Sequence, residues 1–331
     1  MLAIRKGGMC SPTASALWRF FDAALLAAAM MISGIGLGEG DFYSYDFSDR
    51  NYLLPITAED TGKKPLSRGF TSATTYEDTT IQVEITEGIK YNCQYWVADI
   101  RIQDPSQLRT MAAGAARRFD YASEEDAYSL SKKSKAVLAI NGDFYTDASR
   151  RGFGYIVRQG TIYQNNLDTE GRWDSRLPDV LLIDEDGNFH GVHNASQGSI
   201  SLLPDGKRIL NAFTFGPILV ENGKLIKDFQ GADRWMNMGW DSQRQRICIC
   251  QVEELHYKII ACSGPSNNYK GMTLPEFAKL VSEENVDIAY NLDGGDSTII
   301  FFNDQKVNGR WDTTRSLRDI IYFASAEGVR K

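Results

Sequence analysis

The stretch Thr273 to Phe302 reads T-L-P-E-F-A-K-L-V-S-E-E-N-V-D-I-A-Y-N-L-D-G-G-D-S-T-I-I-F-F. Thr273 and Glu276 have the spacing of a reciprocal helix cap. Pro275 falls in the first turn, where a missing N–H costs least. Leu274, Phe277, Ala278 and Val281 make one apolar stripe, so a helix is predicted here that ends by Asn285. Val286 to Leu292 then reads as a strand that delivers Asp293 at its C-terminal end. Ile299 to Phe302 is the next strand, with a turn at Asn303-Asp304. Between the two strands lies Asn291-Leu292-Asp293-Gly294-Gly295-Asp296-Ser297-Thr298, richer in special residues than one tight turn requires.

The rest of the chain is mostly strand-patterned. Ile81, Val83 and Ile85 alternate, and Tyr91 to Ile102 forms a longer strand. Asp104-Pro105 predicts a helix start, with Leu108, Met111, Ala112 and Ala115 on one face, and Ser123 with Asp126 predicts another running to about Lys133. Ala136 to Ile140 is a short buried strand ending at Asn141-Gly142-Asp143. Hairpin patterns follow at Gly154 to Tyr163 and Asp179 to His190. Another strand and Asn-Gly turn lie in Asn211 to Leu225. Ile247 to Val252 pairs with Tyr257 to Ser263, and the last strand is Ile320 to Ala324. Many hairpin-linked strands and few helices predict an α+β fold: one domain over 71–331 with a mixed, mostly antiparallel sheet and a few packed helices.

Composition narrows the function classes. The 331-residue chain carries a net charge of -7 and no long basic run, which argues against a nucleic-acid surface. Five cysteines in a chain of this length are not a disulfide scaffold. Cys248 and Cys250 alternate within a strand and read as small core fillers. His190 and His193 lie in a glycine-bearing loop rather than on a helix, so no metal role is assigned to them.

Ala23 to Gly38 carries no charge, follows Arg5, Lys6 and Arg19, and precedes Glu39, Asp41, Asp46 and Asp49. That asymmetry predicts export, with residues 1–38 a hydrophobic helix that is either a cleaved signal peptide or a membrane anchor. The run is short against the roughly 20 residues of a full span. Residues 39–70 read as a linker or arm. The expected location is extracytoplasmic, secreted or held at the membrane by this one segment.

Two loops share a design. A buried strand ends, and Asn, Gly and Asp follow: Asn141-Gly142-Asp143 and Asn291-Leu292-Asp293-Gly294-Gly295. Carboxylates at a sheet rim are placed for chemistry, and a pair of them suits glycosidic hydrolysis. Each loop also has the composition of an ordinary strand-end turn.

The order N-G-D-F-Y, F-G-P-I-L-V-E-N-G, T-L-P-E-F-A-K-L…N-L-D-G-G-D-S-T and R-S-L-R-D-I-I-Y-F resembles the phosphodiester glycosidase family over about residues 75–325. This family includes N-acetylglucosamine-1-phosphodiester alpha-N-acetylglucosaminidases and bacterial exopolysaccharide-type members. The resemblance assigns Asn141, Gly142 and Asp143 to the family's N-G-[GD]-[FY] segment and Gly216-Pro217 to its G-P-x-L turn. Asp293, Gly294, Gly295 and Ser297 match D-G-G-x-S, and Arg315 and Asp319 match the closing R-x-x-x-D. It implies a hydrolase acting on a sugar-1-phosphodiester in a surface or extracellular glycan. Asp293 is then base or nucleophile, and Asp143 is its acid or sugar-clamping partner. Gly294, Gly295 and Ser297 become anion donors, Arg315 a phosphate ligand, and Trp235, Trp240 and Trp311 candidates for stacking on sugar. The family's R-T-A-I-G is replaced by R-W-M-N-M-G-W from Arg234 to Trp240, with Trp235 at the arginine position. Three readings follow: the contact is absent, Arg234 supplies it from a shifted loop, or the substrate differs. No cofactor is expected. One rival reading is a metal-assisted phosphodiesterase holding Ca²⁺ or Mg²⁺ on the carboxylates at 143, 293 and 296. The other is a glycan-binding or polysaccharide-assembly protein without turnover.

Overall fold

The computed structural model describes residues 35–37, 43–57, 62–114, 119, 123–143, 154–167, 178–196, 203–229, 239–265, 269–309 and 315–329. Among these, every strand pairing is antiparallel, and the α-helices are Ala127–Ser134 and Leu274–Ser282. The described residues are thus mostly β, with less helix among them than an α+β label suggests.

Three sheets close on one core. The largest has eight strands, with Ile288–Leu292 between Ile218–Glu221 and Arg246–Glu253. The strands His256–Cys262, Cys93–Ile102 and Ile81–Lys90 continue it outward. A five-stranded sheet has Ala136–Asn141 at its centre, between Ile300–Phe302 and Asp319–Ala324. A seven-stranded sheet contains Gly154–Arg158, Ile209–Phe213 and Val180–Asp184. Their inward faces meet in a single cluster: Val83, Ile100 and Tyr290 from the first sheet, Val137, Ile140 and Phe323 from the second, Leu181 and Phe213 from the third. This is the alternation that period-two patterning predicts.

The helix Leu274–Ser282 covers the outer face of the eight-stranded sheet. Phe277, Ala278 and Val281 pack there with Cys248, Cys250 and Cys262, which are buried fillers. Its predicted cap is present: Thr273 accepts from the Glu276 N–H, and Glu276 returns a contact to the Thr273 N–H at 2.9 Å. The helix Ala127–Ser134 covers the five-stranded sheet, capped by Asp126 rather than Ser123.

Two expectations are corrected. The helix foreseen after Asp104 is one 3-10 turn, Pro105–Gln107, followed by the strand Leu108–Ala112. Asp104 accepts from Ser106 N–H at 3.0 Å and the Gln107 side chain folds back on Asp104 N–H at 3.1 Å, which closes the turn locally. Leu108–Ala112 then finds a partner in Asp319–Ala324. The second concerns the apolar N-terminal run. Its end, Ile35–Leu37, is a strand paired with Tyr43–Tyr45, not helix. The remainder of that run lies outside the described residues.

Residues 43–57 lie against the body as an arm rather than hanging free as a linker. Tyr43–Tyr45 joins the seven-stranded sheet, and Leu53 and Leu54 are buried. Arg208 pairs with Asp49 at 2.6 Å and with Glu185, while Arg50 pairs with Asp186.

Candidate active site

Strand Ile288–Leu292 runs in the middle of the largest sheet, so its C-terminal end is held on both sides. Ile247 lies opposite Leu292, and Pro217 O accepts from the Asn291 N–H at 3.0 Å. Asp293 leaves that strand end onto the wall of a cavity of about 540 Å³, which Gly294, Gly295, Asp296, Arg315, Arg244 and Phe215 also line.

The two matched loops are joined by one side chain. Asn141 Nδ2 donates to the Asp293 carbonyl at 2.9 Å, and its Oδ1 accepts from the Ile299 N–H at 3.3 Å. Asn141 is buried and spans the two ends of the Asp293 loop. It was expected to bind substrate; its geometry makes it a clamp on the residue that faces the cavity.

Burial pushes the Asp293 carboxyl up from 3.8 to about 6, and the negative charge of Asp143 pushes the same way. Hydrogen bonding by Ser297, the positive charge of Arg315 and the Gly294 N–H oppose the rise. Arg315 Nη1 donates to Ser297 Oγ at 2.9 Å. Carboxylate, hydroxyl and guanidinium therefore form one connected group. Its hydroxyl is buried and its guanidinium is exposed.

The glycines were expected to offer N–H groups to an anion, and the structure uses them otherwise. A Cβ on Gly294 would lie 2.5 Å from the Gln245 carbonyl, so glycine lets the loop lie against that strand. Gly295 has φ +57° and donates its N–H to Gln245 O at 3.0 Å. The Gly294 N–H serves the Asp293 carboxylate. Neither of these two glycine N–H groups is left for a ligand. Gly216 sits at a cis bond to Pro217, and its carbonyl accepts from Asn291 Nδ2 at 2.9 Å.

Asp143 does not line the cavity among the described residues. Its buried carboxylate takes Arg158 Nη2 at 3.2 Å and the Thr214 N–H at 3.0 Å. Thr214 immediately precedes Phe215 of the cavity wall, so Asp143 lies behind that wall, close enough for its charge to be felt at Asp293. The role of a substrate-touching acid does not fit this placement. That of a buried charge does.

Arg244 escaped the sequence reading. It is exposed, lines the same cavity as Arg315, and lies two residues before Arg246 at the start of the strand next to the Asp293 strand. Arg246 is buried and holds the Met272, Gly239 and Ser242 carbonyls at 3.1, 2.7 and 2.9 Å, which fixes the backbone beneath Arg244. The signal was available in S-Q-R-Q-R-I: two arginines entering a strand that neighbours N-L-D-G-G. Arg234, Trp235 and Trp311 lie outside the described residues. Trp240 packs against the cluster under the Leu274–Ser282 helix.

No group of three His, Cys, Asp or Glu that would hold a metal ion occurs among the described residues. Asp143, one of the three carboxylates of the rival metal reading, is engaged by Arg158. His190 contacts Asp184 at 2.9 Å, and His193 contacts Asp179 at 3.3 Å.

An antiparallel β domain with a half-buried carboxylate and exposed guanidinium groups at a strand-end cavity has the character of a site for an anionic substrate. The profile of the phosphodiester glycosidase family matches residues 134–324, more than half of the chain, and the chain belongs to that family. Among solved structures it is similar to the catalytic domain of zebrafish N-acetylglucosamine-1-phosphodiester alpha-N-acetylglucosaminidase, auto-inhibited by its pro-peptide. The TM-score is 0.59 at 16% identity, over 84% of this chain and 99% of that one. That likeness concerns the fold. A hypothetical protein from Synechocystis aligns with a TM-score of 0.49 at 13% identity, over 76% of this chain and 64% of that one. No curated protein matches.

Proposed function

We propose that the protein is an extracytoplasmic hydrolase that breaks the C1–O bond of a sugar-1-phosphodiester in a surface or extracellular glycan. It would release the free sugar and a phosphomonoester. Family membership supports the hydrolase class and the phosphodiester-linked sugar. The observation that carries the assignment of residues is one carboxylate with a raised proton affinity, Asp293, sharing a cavity with two exposed guanidinium groups, Arg315 and Arg244.

In this reading Asp293 is base or nucleophile at the anomeric carbon. Arg315 and Arg244 hold the phosphate oxygens, a task for which the planar fork of arginine is suited. Ser297 keeps Arg315 and Asp293 in register. The leaving phosphomonoester is stable as an anion, so guanidinium contacts replace the proton that a sugar alkoxide would need. This agrees with an Asp143 that acts through its charge. Arg244 takes the place that Arg234 was considered for.

The test is hydrolysis of N-acetylglucosamine-1-phosphodiesters and of the producer's own surface glycans by the purified protein. Asp293→Asn should lose at least a hundredfold in kcat, and Arg244→Gln should raise KM about tenfold. Wild-type release by Asp293→Asn would sink the assignment. Glycan binding without turnover would favour the assembly-protein reading. Loss of activity to chelator, with oxygen-18 from water appearing in phosphate, would favour the metal-assisted one.

A further inference from the structure

We infer that Arg158 is a positioning residue of this site: its guanidinium ties Asp319, the turn at residues 141–143 and the cavity-wall segment at residues 214–216 into one unit that sets where Asp293 stands. The inference rests on the reading of Asp293 as the reacting carboxylate.

Arg158 ends the strand Gly154–Arg158 and is fully buried. Its Nε donates to Asp319 Oδ2 and its Nη2 to Asp143 Oδ2, both at 3.2 Å. Its Nη1 donates to the Val157 carbonyl at 3.0 Å and to the Ala212 carbonyl. The Phe213 ring lies 4.2 Å from the guanidinium carbon. A guanidinium taken out of water at this depth is tolerated only with its donors engaged. Here they are spread over two carboxylates and two carbonyls from four chain segments. An ammonium, being a point donor, cannot hold that spread.

Two branches lead from this fork to Asp293. Along the first, Asp319 Oδ1 accepts the Asp143 N–H at 3.0 Å, and Asp319 O accepts the Gly142 N–H at 3.2 Å. A Cβ on Gly142 would lie 2.1 Å from Asp319 Oδ1, so the approach needs glycine at that position. The turn so fixed presents Asn141, which grips the Asp293 carbonyl. Along the second, Asp143 accepts the Thr214 N–H. The chain continues through Phe215 on the cavity wall to Gly216, whose carbonyl holds Asn291, two residues before Asp293.

The experiment uses the full chain with R158K and D143N. Folding is checked by near-UV circular dichroism and thermal unfolding, kcat and KM are measured separately, and the Asp293 carboxyl is titrated by ¹³C NMR with D293N as the assignment control. Folded R158K should lose at least about tenfold in kcat with KM within about twofold, and its Asp293 midpoint should move by at least about half a pH unit. D143N should move that midpoint downward. A scaffold-only role would lower the melting temperature while leaving kcat per folded molecule and the Asp293 midpoint at wild-type values, and that result overturns the inference. Should R158K not fold, D319N is read by the same criteria, because it keeps the shape of Asp319 and weakens the fork. The titration needs no substrate. Absence of turnover in the wild type would therefore sink the reading of Asp293 while leaving the Arg158 inference to be decided by NMR.

Discussion

At neutral pH Asp293, with a midpoint of about 6, is mostly ionised but within reach of protonation. In the proposed role of base or nucleophile it must be charged, so kcat/KM should fall on the acid side with a limb near pH 6. Arg315 opposes the upward shift. Arg315→Gln should therefore move that limb to higher pH, visible in a pH profile from 4 to 9. The same carboxyl bears on stability. The folded protein holds this proton more tightly than the unfolded chain, whose carboxyl titrates at 3.8. Stability relative to an uncharged residue is complete below that value and is lost as the pH rises through 6. Asp293→Asn should accordingly stabilise the fold at pH 8 by on the order of 2 kcal/mol after solvent screening from the open cavity, seen as a higher melting temperature, and hardly change it at pH 4. Single residues were unevenly legible. Asp293 stood out because glycines surround it. Arg158 could not, because its partners come from strands far apart in sequence, and an arginine ending a strand carries no local mark.

Elements whose determinants are local read correctly. The helix Leu274–Ser282 is written in Thr273, Pro275 and Glu276 and in its apolar stripe, and Thr273→Ala should cost about 1 kcal/mol in denaturant unfolding. The strand Leu108–Ala112 was misread as helix. Its apolar residues satisfy a helical spacing as well as a strand buried on both faces, and only its partner Asp319–Ala324 decides. The turn at Gly142 is local in composition, but its reason is not. Gly142→Ala drives a methyl into the Asp319 carboxylate, so we expect a loss of roughly 2 kcal/mol with a drop in kcat, measured by unfolding and by turnover of the folded fraction. Arg244 was legible in principle. Strand Arg246–Glu253 pairs with Ile288–Leu292 with Ile247 opposite Leu292, so residues just before 246 must stand beside Asp293.

Over the whole molecule, three sheets share one interior, and the arm at residues 43–57 closes part of its outside. A chain begun at Thr57 loses buried Leu53 and Leu54 and the Arg208–Asp49 and Arg50–Asp186 pairs. It should unfold at least about 3 kcal/mol more easily, from the two leucines alone, and buried Arg109 also loses the Pro55 carbonyl that accepts from its Nη1 at 2.9 Å. Proteolysis rates of the two forms would check this. The antiparallel layout was foreseeable from the number of hairpins, but the expected mixed character is not seen, since every pairing among the described residues is antiparallel. The partition of the described strands into three large sheets and a two-stranded one was not foreseeable, since strand order is set by contacts that periodicity does not encode.

The grip of Asn141 on Asp293 joins positions about 150 residues apart, and the fork beneath it waits for Asp319. A ribosome that has finished the N-L-D-G-G segment has therefore still not made a complete site, because the final strand of the five-stranded sheet is yet to be synthesised. In refolding, circular dichroism should recover first and turnover should lag behind it, so that enzymatic activity becomes a clock for the last long-range closure of the chain.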